Sequence, residues 1–114
     1  MGLKLVYVAG KYRGPTSNDV WHNIMLARLH GEAIAMQGDM PVIPHTNGAF
    51  MDGIQTDEFW LEGTMEMLRR CDAIYLLPHW KQSVGARAEW KEAKRLKIPL
   101  YEIKRRRTKK NTRV

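Results

Sequence analysis

The chain has a single cysteine, Cys71, so no internal disulfide can form and a reducing, cytoplasmic setting is expected. CxxC and HExxH are both missing, and His22, His30, His45 and His79 do not fall at metal-ligand spacing. Neither a metal nor a cofactor is therefore expected. No apolar run approaches the roughly 18 residues that would suggest a membrane helix. The first residues lead straight into a strand pattern, so neither a signal peptide nor a membrane span is expected. "GKYRG", residues 10–14, is neither a P-loop nor a GxGxxG. The usual sequence signatures of a nucleoside triphosphate or dinucleotide site are thus absent.

The body of the chain also lacks net charge. The formal charge is +7, yet residues 1–103 carry 12 basic and 12 acidic side chains. All of the excess lies in "KRRRTKKNTRV", residues 104–114. A neutral body is not built around a groove that tracks phosphates. Nucleic acid is expected to bind only non-specifically, through the tail, which reads as a solvated and poorly ordered end. At 114 residues the length suits one domain, assigned to 1–103, followed by the basic tail at 104–114.

Strand and helix patterns alternate along this body. "LKLVYVAG" reads as a buried strand over roughly residues 3–9. A loop with Ser17 and Asn18 as candidate caps leads into a helix reaching Gln37. The inner face of that helix includes Val20, Ile24, Ala27, Gly31 and Ile34, and Gly38 is its stop. "MPVIPH" reads as a second strand and "TNGAFMDGIQ" as a loop. Thr56 or Asp57 caps a second helix through Arg70, whose Met and Trp residues are expected in the core. "DAIYLLP" is a third strand, Ser83–Lys97 a third helix, and "IPLYEI" a fourth strand. This order predicts a three-layer α/β fold. Its parallel sheet would be flavodoxin-like, or Rossmannoid, with about four strands in the order 2-1-3-4 and helices on both faces. Ligands of such sheets bind beyond the carboxyl ends of the strands, at the switch between strands 1 and 3. "GKYRG" and "PHWKQSVGA" meet there.

Glu89 stands out in the third helix. It falls in the apolar stripe of Ala86, Trp90, Ala93 and Leu96, while Arg87, Lys91 and Arg95 take the outer faces. A carboxylate aimed inward costs several kcal/mol unless it is paired or used. An arginine or lysine partner and a chemical role both satisfy that requirement. Ser83, Val84 and Gly85 form a capped helix start whose free N–H groups suit an anion. Gly10, Lys11 and Arg13 offer a flexible turn and countercharge. Tyr7 either orients a carboxylate at the crevice or packs elsewhere, and His45, Phe50 and Trp80 could stack on a planar base.

"S-x-G-x-x-x-E" at residues 83–89, after "CDAIYLLP" in a chain opening with "VYVAG", resembles the nucleoside 2-deoxyribosyltransferase-like superfamily. The likeness spans about residues 3–103 and is specific in the first strand and in 72–99. It implies that Glu89 is a nucleophile attacking C1′ of a nucleoside or nucleotide, oriented by Tyr7. It also implies a homodimer or larger homo-oligomer in which a neighbour completes the pocket. Serine at position 83, where the transferases carry aspartate, is similar to the deoxynucleoside 5′-monophosphate N-glycosidases, although "SVGARAE" lacks their second glycine. Family enzymes carry a further aspartate eight residues before the one preceding the third strand. Here that place holds Thr64, with Glu62 and Glu66 out of register. The resemblance therefore implies either N-glycosidic bond chemistry, by hydrolysis or transfer, or a nucleotide-binding module without turnover. A nucleic-acid-associated protein acting through the tail is the third expectation.

Overall fold

The computed structural model describes residues 2–104. Strands β1 (Leu5–Ala9), β2 (Met40–Val42) and β3 (Ala73–Leu76) alternate with helices α1 (Ser17–Met36), α2 (Pro44–Asn47), α3 (Asp57–Arg69) and α4 (Val84–Arg95). A 3-10 turn, Trp80–Gln82, precedes α4. The strands pair in parallel in the order β2-β1-β3, with Tyr7 opposite both Val42 and Ile74.

Central β1 explains the layering. Val6 and Val8 point to one face and pack with Ala27 and Ile34 of α1. Tyr7 and Ala9 point to the other and pack with Leu68 of α3 and Ala93 of α4. These four of the five β1 residues are fully buried, as expected of a strand covered on both sides. The described protein is thus an α/β fold with an open parallel sheet between helices.

Several boundaries differ from the sequence reading, each for a local reason. The sheet has three strands rather than about four. Residues 98–103 run beside β3 but form one bridge, Ile74 to Leu100. Ile74 N–H donates to the Pro99 carbonyl at 3.0 Å and Tyr101 N–H to the Ile74 carbonyl at 2.7 Å. Pro99 has no N–H of its own with which to extend the ladder toward Asp72. The second strand stops at Val42 because Pro44 starts α2 at its first turn, where a fixed φ favours helix.

Thr16, not Ser17 or Asn18, caps α1. It forms a reciprocal box with Asp19 at 3.0 and 3.1 Å. Thr56 caps α3 and Ser83 caps α4. The last helix ends at Arg95, short of the expected Lys97, whose φ of +61° turns the chain into the left-handed region. The expectation that the Met and Trp residues of α3 are core holds for Met65 and Met67, which pack against the Tyr7–Leu68 cluster, and is corrected for Trp60, which lines a cleft. Leu68 is the buried residue of that helix, while Trp60, Met65 and Met67 are half-buried and Phe59 and Leu61 exposed.

Among the described residues no helix is long and apolar enough to cross a membrane. Beyond exposed Lys104, the basic tail lies outside the described residues.

Candidate active site

A cleft of about 1060 Å³ opens where the segments following β1 and β3 meet. One wall is α3, through Trp60, Leu61, Thr64 and Met65; the other is the start of α4, from Ser83 to Glu89. Lys11, Tyr12 and Arg13 line it from the β1 side and His45 from α2. These segments come together because β1 lies between β2 and β3, so the loops at its carboxyl end face both neighbours.

Glu89 is the buried carboxylate of this cleft, with 9% of its surface exposed. It sits in the second turn of α4, and its side chain leans back toward the helix start. No salt bridge reaches it among the described residues. Its partner is instead the Tyr7 hydroxyl, which donates to Oε2 at 2.7 Å. Burial pushes the Glu89 carboxyl up to about 7, against the opposing effect of the Tyr7 hydrogen bond and of the nearby Thr64 hydroxyl. Burial, then the neighbouring Glu89 charge, raise the Tyr7 hydroxyl well above its ordinary value. Tyr7 therefore remains a donor to the carboxylate. The Thr64 hydroxyl faces both groups and has the Leu61 carbonyl 3.1 Å away.

The family profile described as a domain of unknown function, DUF4406, matches residues 4–102. The chain belongs to the DUF4406 family. No curated protein and no solved structure matches it.

At the head of α4 in this DUF4406 domain, the Ser83 hydroxyl accepts from Ala86 N–H at 3.1 Å. The N–H groups of Val84 and Gly85 occupy the first two helical positions, which have no intrahelical acceptor. A side chain added at Gly85 would meet only the Ser83 hydroxyl, at 3.8 Å, so the cleft is open above this backbone. Gly10 is different. A Cβ there would lie 2.5 Å from Leu77 Cδ1 and 2.7 Å from Leu77 Cβ, so its lack of a side chain serves packing beneath the cleft. Because Leu77 Cβ cannot rotate away, Gly10→Ala should destabilise the protein by about 1–3 kcal/mol in urea unfolding. A loss below about 0.5 kcal/mol would show that the β1 and β3 ends can separate freely.

The remaining candidates divide between ligand wall and scaffold. Lys11 bridges to Gln82 at 3.1 Å, and Arg13 pairs with exposed Asp57 at 3.2 Å. His45 lines the cleft, but its ring is 3% exposed and its Nε2–H reaches the Lys11 carbonyl at 3.1 Å. That bond leaves Nδ1 as the lone pair, a buried nitrogen without a partner among the described residues. Burial lowers the His45 pKa, which keeps the ring neutral. Trp80 lies off the cleft, packed edge-on against Trp90 with centroids 6.4 Å apart. Phe50 is 92% exposed with a φ of +65° and does not line it either.

Trp60 and Tyr12 are among the cleft residues that the sequence reading missed, as are Asp52, Glu58 and Arg69. In α3, Trp60, Leu61, Thr64, Met65 and Leu68 share one stripe, which served equally well for a core face. Only the packing of α3 against α4 turns the upper part of that stripe into a wall.

Proposed function

We propose that this protein carries out N-glycosidic bond chemistry on a nucleoside or nucleoside 5′-monophosphate, by hydrolysis or deoxyribosyl transfer, with Glu89 as nucleophile. The observation that carries the reading is Glu89 itself. It is a buried carboxylate facing a large cleft, oriented by Tyr7 and left without a cationic partner among the described residues. A structural carboxylate would be neutralised by an arginine or lysine. One that must attack an anomeric carbon needs a free oxygen and a fixed direction, and Tyr7 supplies the direction through the other oxygen.

In this mechanism the Glu89 carboxylate attacks C1′ as the base departs through an oxocarbenium-like transition state. Water or a second base then resolves the glycosyl ester. The positive end of α4 favours the ionised carboxylate, and the N–H groups of Val84 and Gly85 suit a 5′-phosphate. Residues 98–103, beside β3, would complete the flavodoxin-like order 2-1-3-4. Assembly as a homodimer or larger, in a cytoplasmic setting, belongs to the same proposal.

The presence of Thr64, an alcohol in place of a second carboxyl, favours a second reading, a nucleotide-binding module without turnover. The two readings part on one experiment. Nucleosides and nucleoside monophosphates are incubated with the protein and free base is followed by chromatography. Release that rises with pH through about 7 and then levels off is expected, because only ionised Glu89 attacks. Tight binding of the same compounds without any release would establish the binding module instead.

A further inference from the structure

Breaking an ordinary N-glycosidic bond requires a proton as well as a nucleophile. Adenine or uracil leaves as an anion unless an acid protonates it, and such help contributes about 10²–10⁴ in rate. Around Glu89 the buried protons already have acceptors. The Tyr7 O–H points at Glu89. Thr64 is an alcohol with the Leu61 carbonyl 3.1 Å away. His45 is a buried ring whose N–H goes to the Lys11 carbonyl. On the outer wall, Asp57 and Glu62 stand in ion pairs with Arg13 and Arg69 at 3.2 and 3.3 Å. Asp52 and Glu58 are exposed, Asp52 accepts from the Tyr12 hydroxyl at 3.4 Å, and the Lys11 ammonium donates to Gln82 at 3.1 Å. Glu89 cannot be both nucleophile and proton donor in one step.

A base that already carries positive charge needs no such proton, because it leaves as a neutral molecule. Resting on the N-glycosidic reading above, we infer that the cleft takes nucleosides or nucleotides with a cationic base, either a pyridinium such as nicotinamide or an N7-alkylated purine. Its walls suit that charge. Five carboxylates line the cleft against three cations, and two of those cations, Arg13 and Arg69, are already paired. Asp52, Glu58 and Trp60 all line the cleft, and a tryptophan ring is a surface on which a flat cation can stack.

The electron count closes without an added acid. A Glu89 oxygen bonds to C1′ while the C1′–N bond breaks, and the bonding pair returns to the ring nitrogen and cancels its charge. Water then attacks C1′, the carboxylate leaves, and the surplus proton passes to solvent. Cationic glycoside and water yield neutral base, a sugar with a 1′-hydroxyl and one proton.

The test uses the full chain with nicotinamide mononucleotide, 7-methylguanosine 5′-monophosphate, AMP and dAMP. Released base is measured by chromatography after subtraction of protein-free hydrolysis. At least one cationic substrate should lose its base roughly a hundredfold faster than AMP or dAMP, the lower end of what a general acid contributes, and Glu89→Gln should remove that release. Comparing the two cationic substrates separates a pyridinium site from an alkylated-purine site. Release from AMP or dAMP at an equal or greater rate would overturn this inference and leave the N-glycosidic reading standing. Release from none of the four would overturn this inference too, and the wider panel of nucleosides and monophosphates described above then decides the N-glycosidic reading.

Discussion

Glu89→Gln should make the protein more stable at pH 8 while extinguishing base release. A carboxyl that titrates near 4.5 in the unfolded chain and at about 7 in the folded protein holds its proton more firmly when folded. Between those two values unfolding releases a proton, so stability falls as pH rises and levels off above about 7. The loss amounts to about 3 kcal/mol. Glutamine carries no charge at any pH, yet its carbonyl can still accept from Tyr7. The variant should therefore match the parent near pH 4, where both side chains are neutral, and gain up to about 3 kcal/mol at pH 8. For a domain of this size that gain corresponds to roughly 10 °C in Tm. Turnover should fall on the order of a thousandfold or more, because the lost oxygen is the one that forms the bond. Thermal melts at the two pH values, with base release measured on the same samples, check both parts. An unchanged Tm at pH 8 would mean that Glu89 ionises in the folded protein at no cost, and that its burial signals nothing.

Ser83→Asp should invert the preference between a nucleoside and its 5′-monophosphate. Aspartate caps helices as well as serine does, so α4 keeps its start and its bond to Ala86 N–H. What changes is the charge beside the N–H groups of Val84 and Gly85. In the parent these groups can donate charge-assisted hydrogen bonds to a phosphate, each contributing about 1.5–3 kcal/mol. Even one such bond gives the monophosphate roughly tenfold tighter binding or more. The aspartate carboxylate would repel the phosphate and accept from a free 5′-hydroxyl, reversing the order. Calorimetry on both forms, carrying Glu89→Gln to prevent turnover, reads the two affinities directly. Equal affinity for the two ligands in the parent would falsify the phosphate site at the head of α4.

Part of this protein is determined by local pattern. The run Val6–Tyr7–Val8 is apolar on both faces, which requires a covered strand, and helical patterns before and after it supply the cover. Ser83 is legible as a cap because a serine ahead of an apolar helical period satisfies free N–H groups. Glu89 is legible as an anomaly because a 3.6-residue period places it among alanines. Those readings need nothing beyond near neighbours in the chain.

Tertiary structure decided the rest, since it concerns groups far apart in sequence. Periodicity places Glu89 inside, but an arginine, a lysine and Tyr7 were all open as partners. The partner is Tyr7, 82 residues away, because β1 runs beneath α4 with that face of the strand toward it. The stripe of α3 is the same whether it meets a core or a cleft, and the gap between α3 and α4 makes Trp60 and Thr64 a wall. "IPLYEI" has the composition of a strand, yet strand pairing is a property of two segments. Its pairing with β3 amounts to one bridge, and Pro99, lacking a donor, closes that ladder on its N-terminal side. A side chain's inward direction follows from the local helical period, whereas the group it meets there is set by packing between distant segments.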